Sequence, residues 1–194
     1  LAVSACPCNA GYFDNGVNIC VLCSYTCLTC DGTSTKCITC NTTNQRSYSP
    51  SLNLCPCNAG YYDDGVPLCG ACDYSCLTCT LGTATGCTAC DAINFRTFSV
   101  SSNSCPCNTG YFDNGISLCV ACSYTCLTCA NATSCATCLA SDFRTFSGEA
   151  CPCNAGYYDN GVSLCLACDY TCLTCESGTT TGCVTCNSSN FRNF

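Results

Sequence analysis

Thirty-two of the 194 residues are cysteine, and they fall into one phrase spoken four times. It opens as Cys-Pro-Cys-Asn-x-Gly-Tyr at Cys6, Cys55, Cys105 and Cys151, at intervals of 49, 50 and 46 residues. In the first copy the cysteines are Cys6, Cys8, Cys20, Cys23, Cys27, Cys30, Cys37 and Cys40. Their spacing is C-x-C-x11-C-x2-C-x3-C-x2-C, then five to seven residues, then C-x2-C. Length varies only in that gap and in the stretch joining copies, which marks both as surface loops. A fixed internal period decides the architecture before any single motif does. The expected repeats are residues 1–50, 51–100, 101–146 and 147–194.

A chain with this pattern has little else to fold around. With cysteine set aside, apolar residues make up roughly a third of the sequence, and Trp and Met are absent. Modules that bury so little use cross-links, which persist in oxidising compartments. The fold class expected is small and disulfide-rich: an elongated rod of four tandem cysteine-rich modules with short β-hairpins and little or no helix. The net charge of −7, with five Lys or Arg in all, argues against nucleic acid and anionic membranes as partners. No apolar run is long enough to span a bilayer. Without an initiator Met or a signal-peptide core, the chain reads as a mature or excised segment.

Each copy divides in two. The first half reads as a hairpin, with Tyr12-Phe13 on one arm, Val17 to Ile19 on the other, and a tight turn at Asn15-Gly16. Later copies turn at Asp64-Gly65, Asn114-Gly115 and Asn160-Gly161. The second half, Ser24 to Cys30, has cysteines too dense for a helix or long strand. It is expected to be irregular and pinned by cross-links, with Tyr25 and Leu28 over the sulfurs. The joins carry Asn94-Phe95-Arg96-Thr97-Phe98 and Asp142-Phe143-Arg144-Thr145-Phe146, whose aromatics are expected to pack one module on the next.

Several chemistries compete for these residues. Cys20-x2-Cys23-x13-Cys37-x2-Cys40 has a spacing a zinc ribbon could use, but there is no His and extra cysteines crowd the same loop. Disulfides are therefore expected, with no metal and no cofactor. The C-x-x-C pairs lack the βαβ context of a catalytic dithiol. Asp14, Asp63, Asp64, Asp113 and Asp159 lie in the hairpin turns, where Asp is favoured for its backbone bonds, and no calcium loop surrounds them. Hydrolysis would need a nucleophile with a base, or paired carboxylates in a pocket, so no enzyme activity is expected.

The core Cys20-x2-Cys23-x3-Cys27-x2-Cys30-x6-Cys37-x2-Cys40 resembles the furin-like, growth-factor-receptor type of cysteine-rich repeat. The likeness extends to the long tandem arrays of ciliate surface proteins and covers all four copies. The Cys-x-Cys-x2-Gly-Tyr phrase also resembles the tail of an EGF module, without the rest of its spacing. The resemblance implies two interleaved bridges per copy: Cys23–Cys30 with Cys27–Cys37, Cys72–Cys79 with Cys76–Cys87, Cys122–Cys129 with Cys126–Cys135, and Cys168–Cys175 with Cys172–Cys183. It implies a hook around each hairpin: Cys8–Cys20, Cys57–Cys69, Cys107–Cys119 and Cys153–Cys165. The last cysteine of a copy then reaches forward, as Cys40–Cys55, Cys90–Cys105 and Cys138–Cys151. Eight cysteines allow 105 pairings, so spacing alone leaves the connectivity open.

Sequons at Asn41, Asn131 and Asn187 fall in loops or joins, and N-glycans are expected there in a secreted eukaryotic chain. The expected function is an extracellular structural protein of a surface coat, adhesive or filament. The alternative is the ectodomain of a receptor or ligand-binding protein. Near-identical copies favour the first, because a dedicated site makes one repeat diverge. Under the implied pairing Cys6 and Cys186 lack partners in the chain. The residues after Cys186 and before Cys6 total 13, against 14, 14 and 12 in the internal joins. Copies are therefore expected to continue head to tail, through Cys6 and Cys186, or to lie within a longer array.

Overall fold

A strand of two residues cannot hold itself in water, so each must be closed by something stronger than its ladder. In the computed structural model, covalent bonds do this. The structure describes residues 6–186 and Arg192. They form small, disulfide-rich, repeated modules of short two-stranded hairpins, and the helical content is confined to 3₁₀ turns. The chain divides into two compact units, one of Leu1–Ala92 with Thr97–Pro106, the other of Ile93–Arg96 with Cys107–Phe194.

In the first unit, β1 (Tyr12–Phe13) pairs antiparallel with β2 (Val21–Leu22), in the register Tyr12 to Leu22 and Phe13 to Val21. The second arm is thus not Val17 to Ile19. Residues 14–20 form an open loop instead of a two-residue turn. Asp14 Oδ1 accepts from the Gly16 amide at 2.8 Å, which bends the chain away from the ladder, and Gly16 takes φ 85°. In the second repeat the corresponding loop turns carbonyls inward, where an arginine from the preceding join takes them. The same aspartate-to-glycine cap shapes the loop in both repeats and overrides the two-residue turn that Asx-Gly signals.

The second half is more regular than expected. β3 (Thr29–Cys30) and β4 (Cys37–Thr39) make another antiparallel hairpin, with a register shift between Thr29 and Cys30. The Thr29 and Thr39 hydroxyls meet across it at 2.6 Å. Cys23–Cys30 and Cys27–Cys37 interleave through this hairpin, so cysteine density and a strand are compatible when the strand is only one link long. The sulfurs are covered by Phe13, which is buried with Cys23 and Cys30. Tyr25 and Leu28, expected in that role, are about half exposed at 46% and 47%. In the second repeat Phe98 packs on the buried Cys76, Cys87 and Cys105.

The second unit repeats this plan. Tyr111–Phe112 pairs with Val120–Ala121, and Thr128–Cys129 with Cys135–Thr137. Tyr157–Tyr158 pairs with Leu166–Ala167, and a longer hairpin joins Cys172–Cys175 to Cys183–Cys186. Among the described residues no helix is long and apolar enough to cross a membrane.

Candidate functional site

The feature that the modules share, and that conventional site motifs do not describe, is the join between consecutive repeats. After β4 the chain makes a 3₁₀ turn at Thr42–Asn44, capped by the Asn41 side chain. Gln45 follows in the left-handed conformation at φ 59°. A residue with a Cβ is disfavoured there, and here it redirects the backbone so that Arg46 points into the next repeat. Phe95 and Phe143 take the same conformation, at φ 56° and 55°.

Arg46 is the most completely buried large side chain of its join, at 1% exposure. Its guanidinium fills the open loop of the second hairpin. Nε donates to the Pro67 carbonyl at 2.9 Å, and Nη1 to the Cys55 carbonyl and Asp63 Oδ2, both at 3.1 Å. Nη2 donates to the Val66 carbonyl at 3.0 Å and lies 3.0 Å from Asp63 Oδ1. Four hydrogen bonds and the Asp63 ion pair engage every nitrogen of the fork, so the buried charge is left with no unpartnered nitrogen. Tyr25 closes the site from the preceding repeat, its ring centre 5.5 Å from the guanidinium carbon and its hydroxyl donating to Asp63 Oδ1.

In the second unit Arg144 does the same. It donates to the carbonyls of Ser163, Cys151 and Val162 and pairs with Asp159 at 3.1 Å, under Tyr124 at 5.7 Å. Arg96, also buried, binds the Ser117 and Ile116 carbonyls and Asp113. Around each arginine the backbone adds strand-like bonds. The amides of Asn58 and Cys69 donate to the carbonyls of Gln45 and Asn44, and the Ser47 amide to that of Pro56. The expected aromatic packing is present where the residue before arginine is Phe: Phe95 stacks on Tyr111 at 4.3 Å and Phe143 on Tyr157 at 4.2 Å.

Electrostatics follow the geometry. The Arg46 hydrogen bond holds the Asp63 carboxyl below its usual range, against partial burial and with help from the Gly65 amide. At Asp159 burial pushes upward, but the Gly161 amide and Arg144 outweigh it and the net shift is downward. The phenols of Tyr25 and Tyr124 are raised, by desolvation first and then by Asp63 and Asp159. The turn aspartates thus do more than the turn chemistry expected of them. Asp63, Asp113 and Asp159 each cap a glycine amide and bind an arginine. Four of the five basic residues recur at one repeat position, Arg46, Arg96, Arg144 and Arg192, and that periodic scarcity was the available signal.

The structure brings together all fifteen cysteine pairs implied by the resemblance. There is a hook in each repeat, two interleaved bridges behind it, and the forward bridges Cys40–Cys55, Cys90–Cys105 and Cys138–Cys151. Cys6, exposed, and Cys186, half-buried, are free thiols. A disulfide set of this size is characteristic of secreted and extracellular proteins, where the compartment is oxidising. Asn41 and Asn131 each accept from the threonine two residues on, through its amide and its hydroxyl. Asn187 lies outside the described residues. Among the described residues no cluster of three or more His, Cys, Asp or Glu is placed to hold a metal ion. Two clefts of about 250 Å³ lie at the first hairpin and between the third and fourth repeats.

The fold and its joins define a disulfide-stapled tandem-repeat protein. No family model, curated protein or solved structure matches the chain.

Proposed function

We propose that this protein is an extracellular structural component of a surface coat, adhesive or filament, secreted and glycosylated at Asn41, Asn131 and Asn187, with copies continuing head to tail. The observation that carries this reading is the recurrence of one join. A forward disulfide and a buried arginine tie repeat one to repeat two and repeat three to repeat four with equivalent residues. Such a join suits a load-bearing, protease-resistant chain, and it commits the buried Arg46, Arg96 and Arg144 to the links between repeats. Electron microscopy of native material tests it. Filaments or a continuous surface layer are expected. Isolated molecules, each bound to a separate ligand, would favour the receptor ectodomain instead.

A further inference from the structure

Repeat three breaks the pattern at three positions where the other copies agree in chemical class. Thr109 stands where they carry Ala10, Ala59 and Ala155. Leu139 stands where they carry the polar Asn41, Asp91 and Asn187, and Asp142 where they carry Asn44, Asn94 and Asn190. Thr109 precedes the third hairpin and the other two lie in the join that follows, yet the fold gathers them. All three line one cleft of about 250 Å³ within the second unit, together with Tyr124, Leu127 and Ser163.

The exchanges alter what the cleft offers. Asn41 caps the first 3₁₀ turn by accepting from the Thr43 amide, whereas Leu139 opens the corresponding turn with no side-chain cap. A local hydrogen bond is given up there for an apolar wall. The same exchange removes the sequon that Asn41 and Asn187 open, so no N-glycan stands at this edge. The Asp142 amide donates to the Leu139 carbonyl, and its carbonyl accepts from the Cys165 amide, which leaves the carboxylate as the group it brings. Every basic residue is engaged elsewhere. Arg46, Arg96 and Arg144 pair with Asp63, Asp113 and Asp159, Lys36 pairs with Asp31, and Arg192 lies over Tyr170. The cleft found at the first join is smaller, about 130 Å³, and neither Asn41 nor Asn44 lines it.

We propose that this cleft binds a small organic ammonium ion with a short apolar body. Asp142 supplies the counter-charge, and Leu127, Leu139 and the half-exposed Tyr124 ring supply the apolar surface. The Thr109 and Ser163 hydroxyls can accept from the ammonium N–H groups. The asparagine of the other copies would suit a neutral guest, whereas a carboxylate selects for positive charge. Arg144 does not cancel that charge, because it is paired with Asp159. The volume falls just below the roughly 300–1,000 Å³ of pockets for drug-sized ligands, and so suits a guest of a few heavy atoms. The site goes beyond the structural reading: a coat component can carry it, and losing it leaves the joins intact.

Titration of the full chain with butylammonium, followed by amide NMR, tests it, with butanol as the neutral counterpart. Butylammonium should shift the Thr109, Leu139, Asp142 and Ser163 amides saturably, at the millimolar level expected of so few atoms. Butanol should bind about tenfold more weakly, the scale of a hydrogen bond to a charged group. Asp142→Asn should weaken butylammonium by about the same factor, and Thr109→Ala by less. Both variants restore residues that other copies carry, so the fold has precedent for them. Nα-acetyl-lysine amide separates two sources of the ammonium group. Binding as tight as butylammonium supports the site and assigns it to a lysine side chain of a partner; binding of butylammonium alone supports it and assigns a free amine. Shifts spread over the acidic surface without saturation at the cleft, butanol binding as well as butylammonium, or an Asp142→Asn chain that binds like the parent would overturn the proposal.

Discussion

The Tyr25 hydroxyl donates to Asp63 Oδ1 at 3.2 Å, across 38 residues of sequence and over the guanidinium of Arg46. One repeat supplies the lid, the join supplies the cation and the next repeat supplies the anion. Consecutive modules are therefore held at a polar site as well as by the Cys40–Cys55 bridge.

Replacing Arg46 tests that site. Arg46→Ala leaves the Pro67, Cys55 and Val66 carbonyls and the Asp63 carboxylate without their partner. The join should lose about 3–5 kcal/mol, the scale for breaking a buried pair. Arg46→Lys should recover only part, because an ammonium cannot reproduce the fork. Amide exchange at Cys69 and Asn58, which donate to the join, is the readout, since the disulfides will hold the chain compact.

Acid should loosen the joins before it unfolds the modules. Asp63 and Asp159 have folded pKa values below the unfolded one, so their contribution is complete above the unfolded pKa, near 4, and is lost as pH falls through the folded value. Tyrosine fluorescence or carboxyl NMR should report a transition below about pH 4. That transition should disappear when Asp63→Asn and Asp159→Asn are combined.

The left-handed residue before each arginine separates strain from packing. Gln45→Gly relieves a positive φ and should stabilise the first join by about 1 kcal/mol. Phe143→Gly relieves the same strain but loses the stack on Tyr157, so its net effect should be near zero or destabilising. Differential amide exchange of the two variants checks the contrast.

Enzymatic removal of N-glycans from native material should lower its mass and convert Asn41, Asn131 and Asn187 to Asp. Peptide maps with all three asparagines unmodified before treatment would exclude occupancy.

Much of this fold was legible because cysteine spacing and Asx-Gly pairs act locally. The period, the hairpin at Tyr12-Phe13 and the short, loop-rich modules follow from residues close in sequence. The second arm was misplaced at Val17 to Ile19 because Asp14 caps the Gly16 amide and carries the chain through an open loop, so that pairing resumes only at Val21. The role of Tyr25 was missed for another reason: an aromatic beside cysteines reads as sulfur cover until the distant cation is known. Arg46, Arg96 and Arg144 looked like polar punctuation between aromatics. Their burial is decided by carbonyls that only the folded loop assembles.

The most direct test of the account is the disulfide map of the unreduced protein. Peptic digestion and mass spectrometry should recover Cys40 joined to Cys55, Cys90 to Cys105 and Cys138 to Cys151, with two titratable thiols at Cys6 and Cys186 in the isolated chain. Bridges confined within each repeat, or many free thiols released by a chelator, would contradict it.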